Sequence, residues 1–273
     1  MAYSTRSVTY QAKKDQQSIT IEYSDQGTGR IIVMLPSLAR SGRDYNEVAA
    51  LLVNEGFRVI RPEPRGILGS TGPMKALDLH DFAADVAAVL DQEKTGPIVV
   101  VGHAWGSQPA RMLAADRPDL VCGVVMAAAS AGKLPPGSTE KPYSRLRAEI
   151  DGAGNPELPK EVRLENLRKA FFAPGSDPSV WLEGWYQEAH HAQSHARVFT
   201  NIDDYFSAGE VVPILDLQAE FDAVVVPNVM KPYLGDRVTV QVIKNAGHSM
   251  APEQPVAMTQ AIAAFAKKVY GGN

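Results

Sequence analysis

Residues 99–107, VVVGHAWGS, hold the most specific chemical signal in the chain. An apolar strand runs into Gly102; the central position comes two residues later, and Gly106 two after that. This is the strand–turn–helix pattern that presents a nucleophile above a sheet. Both glycines have a steric reason, because a side chain at either would strike neighbouring backbone in so tight a turn. The central residue is held in a strained conformation with its side chain exposed above the sheet. The N–H that follows it, of Trp105, sits at a helix start, where it can hold an anion. The central residue here is Ala104. A methyl group cannot attack a carbonyl, so no covalent intermediate forms at that atom.

With this turn the chain resembles the α/β-hydrolase superfamily over essentially its whole length. The resemblance implies Ser, Cys or Asp where Ala104 stands, and it implies two partners further on. Residues 213–227, PILDLQAEFDAVVVP, resemble the strand and turn that carry the family's acid. Asp222 takes the acid's place, with Glu220 as the alternative and Asp216 inside the strand. Residues 245–249, NAGHS, place His248 where the catalytic histidine belongs, between a strand and the last helix. Elbow, acid, histidine is the family's chain order. Asp222 would fix the imidazole tautomer and leave its other nitrogen as a base. After its first buried strand the family carries His-Gly and then a residue whose N–H completes an oxyanion hole. Here the stretch reads Pro36-Ser37-Leu38. The implied donors are the N–H groups of Leu38 and Trp105, a device worth about 3–4 kcal/mol to an acyl-transfer transition state. Ser37 adds a hydroxyl near the pocket where the family has glycine.

Two origins fit Ala104. One is a natural branch without a nucleophile, since aminoacrylate-hydrolase-like members resemble this chain in a GHA-type elbow. The other is a Ser→Ala or Asp→Ala substitution. Elbows of the form Gly-His-Asp-Trp-Gly are typical of haloalkane dehalogenases and epoxide hydrolases, and Trp105 matches their tryptophan. Those families keep the His-Gly loop, which is absent here.

Other residues have a chemical and a bland reading. Arg40 can bind a substrate carboxylate in a fork, or face solvent. Trp181, Trp185 and Tyr186 fall at helical spacing and would form one aromatic face over the pocket, or simply pack a lid on the core. His103 is expected to pack under the turn. His190, His191 and His195 invite a metal reading, but no acidic third ligand stands out and HExxH is absent, so no metal site is expected. Gly66, Gly69 and Ser70 lie in a loop where glycines permit tight turns, and no phosphate or cofactor is expected there.

The elements that must position these residues follow from periodicity. Residues 18–23 alternate as a half-buried strand does. Runs at 31–35, 98–101 and 121–128 are apolar without alternation, as strands covered on both faces are, and 58–61, RVIR, reads as a further strand. Helical periods occupy 44–54, 79–90 and the stretch from the elbow to 116. Strands alternating with helices predict an α/β fold, a mostly parallel central sheet flanked by helices. The rhythm breaks at Lys133. Up to about Tyr205 the chain is charged, bears Pro and Gly, and holds Phe171, Phe172, Trp181 and Trp185. This predicts a core of residues 1–132 and 206–273 with an inserted, mainly helical lid over 133–205. Strands at 213–218 and 238–243 and a helix at 255–269 complete the core.

The 273 residues suit one sizeable α/β domain. A net charge of −4 gives no basic field for nucleic acid. The single cysteine, Cys122, excludes an intrachain disulfide framework. No apolar run has signal-peptide or membrane-spanning character, so a cytoplasmic protein without a membrane partner is expected; a homodimer is left open. The expected function is hydrolysis of a small, apolar or aromatic carbonyl compound, an ester, lactone or C–C bond, by His248 and Asp222. A non-catalytic binding protein on the same fold is the alternative of another class.

Overall fold

A computed structural model describes residues 3–12, 14, 16–129 and 146–271. Eight strands form one sheet: β1 (Ser4–Gln11), β2 (Ser18–Gln26), β3 (Ile31–Leu35), β4 (Arg58–Pro62), β5 (Ile98–His103), β6 (Val121–Ala127), β7 (Ile214–Ala219) and β8 (Val238–Ile243). Their order is β1-β2-β4-β3-β5-β6-β7-β8. The β1–β2 and β2–β4 pairs are antiparallel and every other pair is parallel. The helices are α1 (Asn46–Asn54), α2 (Leu79–Gln92), α3 (Ser107–Asp116), α4 (Arg147–Ala153), α5 (Lys160–Ala170), α6 (Gln187–Phe199), α7 (Lys231–Leu234), α8 (Met250–Glu253) and α9 (Pro255–Gly271).

The unalternating Val/Ile runs are explained by two cores. Along a strand, successive side chains point to opposite faces. Val33, Val100 and Val124 therefore join one cluster with α2 and α3, while Ile32, Val99 and Val125 join the other with α1 and α9. Both faces need apolar residues, so alternation disappears. Strand β1 was not expected from the sequence. It is an exposed edge strand with only Val8 buried, and it is held by full pairing with β2 rather than by a buried face.

Between β6 and β7 the described chain forms α4, α5, α6 and short 3₁₀ turns. A third cluster there joins Leu167, Phe171, Phe172 and Trp181 to Val224, which follows β7. The expected core–lid boundary at 132/133 lies outside the described residues. No helix among the described residues is long and apolar enough to cross a membrane.

Candidate active site

At the end of β5 the chain turns as its glycines require. A Cβ on Gly102 would meet the Gly106 carbonyl oxygen at 2.4 Å, and one on Gly106 would meet the Pro36 and Leu35 oxygens at 2.5 and 2.6 Å. Ala104 between them has φ of 48°, the left-handed region that L residues rarely adopt. A 3₁₀ turn over Ala104–Gly106 leads into α3, so the Trp105 N–H is a first-turn donor without an intrahelical acceptor. The indole of Trp105 is fixed edge-on against Phe82, with centroids 5.0 Å apart, and its Nε1 donates to the Gln193 carbonyl at 3.1 Å.

His248 and Asp222 meet. The imidazole Nδ1 lies 3.2 and 3.1 Å from the two carboxylate oxygens of Asp222, and both side chains are almost wholly buried. The Asp222 carboxylate is itself held by the N–H groups of Val224 and Val225, at 2.9 and 3.0 Å. Glu220, the alternative acid, instead accepts from Lys244 and the Asn245 N–H at the surface. Asp216 is buried in β7 beside Gln218, where burial raises its pKa.

The loop bearing His248 is clamped from three sides. Glu253 accepts from the Gly247 N–H at 2.9 Å and from the Ala173 N–H at 2.7 Å. The Ser249 N–H donates to the Phe171 carbonyl at 2.9 Å. A Cβ on Gly247 would come within 2.6 Å of the Ala173 nitrogen, so this approach needs glycine. The third clamp is His103. Its Nε2 donates to the His248 carbonyl at 2.7 Å, and its Nδ1 accepts from the Tyr45 hydroxyl. Burial first, then the neighbouring His248, push the His103 pKa down to about 3. The ring is therefore neutral, which fixes Nε2 as donor and Tyr45 as the donor to Nδ1. His103 does pack under the turn, but as a strut between Tyr45 and the loop bearing His248. Nothing in its sequence spacing signals that link.

Ser37, Leu38, Ala104, Trp105 and His248 line one cavity. Phe171, Trp185, Val224 and Ile150 make it largely apolar. Sequence spacing did not point to Phe171 or Val224 as lining residues, because each reaches the cavity from a different element.

Arg40 requires a correction: it is no free fork at the pocket. It is 2% exposed and does not line the cavity among the described residues. Its guanidinium pairs with Asp44 at 2.7 and 2.9 Å, donates to the Glu183 carbonyl at 2.6 Å, and lies over the rings of Trp181 and Trp185. The expected aromatic face also differs. Trp181 ends a 3₁₀ turn and no helix continues through Tyr186, so helical spacing does not apply. Trp185 alone of the three lines the cavity; Trp181 is buried beneath it, and Tyr186 joins the loop through its backbone N–H to the Ala39 carbonyl at 3.1 Å.

His190 lines the cavity, whereas His195 meets the Leu77 carbonyl at 3.0 Å and stacks on Phe199. Because a carbonyl only accepts, that contact makes His195 Nδ1 the donor. No group of three or more potential ligands is arranged to hold a metal among the described residues.

Residues 32–261 match the model of the alpha/beta hydrolase family. Among curated relatives, a soluble epoxide hydrolase of Corynebacterium sp. (strain C12) is 33% identical over 101 residues, 37% of this chain and 35% of that protein. A non-heme haloperoxidase of Rhodococcus erythropolis is 28% identical over 234 residues, 75% of this chain and 79% of that one. The chain spans only about a third to a half of the length of the first curated relatives it matches. Among solved structures, a thermophilic esterase from Thermogutta terrifontis superposes with a TM-score of 0.74 at 22% identity, covering 97% of this chain and 99% of that one. At that identity the likeness is one of fold.

Proposed function

The chain belongs to the alpha/beta hydrolase family, and on that footing we propose that it hydrolyses a small, apolar or aromatic carbonyl compound with water as the attacking group. The observation that carries this reading is the His248–Asp222 contact at 3.1 Å beside a cavity that Ala104 also lines. Asp222 accepts a hydrogen bond from the Nδ1–H, which fixes the tautomer and leaves Nε2 as the base. Nε2 removes a proton from water in the space that a nucleophile's side chain would fill; the resulting hydroxide attacks the carbonyl carbon. Negative charge collects on the carbonyl oxygen, within reach of the Leu38 and Trp105 N–H groups. Collapse expels the leaving group, which takes the proton back from His248. No covalent step is needed, and sites stripped of a nucleophile retain appreciable catalysis from binding and the oxyanion hole. An ester, a lactone or an activated C–C bond meets these requirements.

A second reading is an Asp-dependent hydrolase whose nucleophile is replaced by Ala104. It is favoured by the match to a soluble epoxide hydrolase and by Trp105 after the elbow. The test compares this chain with Ala104→Ser and Ala104→Asp on aryl esters, lactones, C–C substrates and epoxides. Turnover of a carbonyl substrate by the unaltered chain, with fluorophosphonate labelling of the Ser variant alone, is the expected result. Epoxide turnover gained only by the Asp variant supports the second reading and sinks the first.

A further inference from the structure

Several polar groups of the cavity wall are already engaged. Gln187 donates through Nε2 to the Gly154 carbonyl, Arg147 pairs with Asp151 at 2.7 Å, and Nδ1 of His248 meets Asp222. The indole N–H groups of Trp185 and Trp105 go to the carbonyls of Trp181 and Gln193. Gln108 differs from all of these. It is the second residue of α3, four residues past Ala104, and it lines the cavity together with Ala104 and His248. It is 1% exposed, and its Oε1 is buried without a hydrogen-bond partner. Among the described residues, no other member of this cavity wall has a buried side-chain nitrogen or oxygen in that state.

A buried polar atom in an apolar setting is costly unless it is paired, so an unpaired one in a folded protein calls for a reason. Helix capping is not that reason, because α3 has no side-chain cap. A glutamine oxygen only accepts, so what it lacks is a donor. The terminal amide torsion of glutamine is soft. A donor that enters the cavity can therefore turn the oxygen towards itself at little cost.

We propose that Gln108 selects the substrate: its Oε1 accepts a hydrogen bond from an O–H or N–H group that the substrate carries near its reacting carbonyl. This rests on reading the Ala104 end as a hydrolytic site, which fixes where the carbonyl lies. It narrows the substrate class to an apolar or aromatic carbonyl compound bearing a hydrogen-bond donor. One helical turn rises about 5.4 Å, so the donor belongs a few bonds from the carbonyl carbon rather than at a distant end. A site that hydrogen-bonds a substrate group rejects analogues lacking it, because its own buried atom is then left unpaired.

Aryl ketones test this by binding alone, since a ketone carries the carbonyl and is not hydrolysed. Alpha-hydroxyacetophenone, β-hydroxypropiophenone and α-acetamidoacetophenone are titrated into the full chain by calorimetry, each beside its O-methyl or N-methyl derivative. At least one donor-bearing ketone is expected to bind about tenfold tighter than its methylated partner, the scale of one hydrogen bond to a buried acceptor. A preference in the hydroxyl pairs assigns an O–H to the substrate, and one in the acetamide pair assigns an N–H. Gln108→Met and Gln108→Leu keep the bulk and remove the acceptor, so each should bring the ratio within a pair close to one. Because the ratio is taken within one protein, a general change in packing does not move it. Denaturation midpoints of both variants should equal or exceed that of the parent, since neither buries an unpaired oxygen. Methylated ketones bound as tightly as their partners, a ratio unchanged in both variants, or no ketone bound at millimolar concentration overturns the proposal. A donor-free aryl ester turned over equally by the parent and Gln108→Met, without any donor preference, would leave the hydrolytic reading standing and this one fallen. A donor preference lost in Gln108→Met, with no ester turned over by the parent, would do the reverse.

Discussion

Ala104 occupies a backbone position that costs energy to hold, at φ of 48°, yet it presents only a methyl group. Strain of this kind persists where surrounding structure over-determines it, and here the surroundings are two glycines, Ser107 and the strut under the turn. The Ser107 hydroxyl donates to the Ala104 carbonyl at 2.7 Å. Tyr45 and His103 complete the support by fixing the carbonyl of His248. Tyr45→Phe removes the only donor to a buried ring nitrogen among the described residues. An unsatisfied buried acceptor costs about 1–3 kcal/mol, so the variant should unfold at lower denaturant concentration with an unchanged m-value. Equal midpoints would show that the strut carries no stability.

Elements meet at the carboxyl ends of the parallel strands, and two contacts there can be tested. Gly106 lets the elbow press against the end of β3, where an added Cβ would lie 2.5 Å from the Pro36 oxygen. Backbone cannot yield as a side-chain tip does, so Gly106→Ala should cost at least about 3 kcal/mol, the upper part of the overpacking range; chemical denaturation measures it. Beside it, Glu63 at the end of β4 grips the loop after β3 through the Ser41 hydroxyl at 2.9 Å and the Gly42 N–H at 3.0 Å. Burial pushes its pKa up to about 7 from the ordinary 4.5. A raised folded-state pKa means the folded protein holds a proton that the unfolded chain has lost. Its contribution is complete below about pH 4.5 and declines as pH rises to about 7, at up to about 1.4 kcal/mol per pH unit. The melting temperature of Glu63→Gln relative to the parent should therefore climb across that window and level off above it. A difference that does not change with pH would contradict this. Periodicity made β2 to β8 legible because each buried strand carries its own apolar signature. It did not reveal β1, whose residues are polar and whose partner is β2 alone. It also misread 181–186, where tryptophans at helical spacing are placed by Arg40 and by a 3₁₀ turn rather than by a helix.

Over the whole molecule, the segment between β6 and β7 is tied to the sheet domain by a few buried polar groups. Gln193 of α6 accepts from the Ala39 N–H at 2.7 Å and, through its carbonyl, from Trp105. Arg40 joins Asp44 to the carbonyls of Trp181 and Glu183. Removing one partner of a buried ion pair costs about 3–5 kcal/mol. Arg40→Ala should raise hydrogen exchange in residues 178–199 and leave β3, β5 and β6 protected; uniform loss of protection would show that the segment does not open separately. The chemical constellation of elbow, Asp222 and His248 was legible because each lies at a strand end with its own short motif. The cavity's walls were not, since Phe171, Val224 and Arg197 come from three elements that only the tertiary fold brings together. The central claim is that His248 activates water directly beside a methyl group. It is tested by measuring kcat/KM for an aryl ester with the parent and His248→Ala, with intact-mass analysis of the quenched parent. A fall of about 100-fold or more, in the range of general-base contributions, with no acyl adduct on the chain, is predicted. An undiminished rate in His248→Ala, or an acylated parent, would contradict the account.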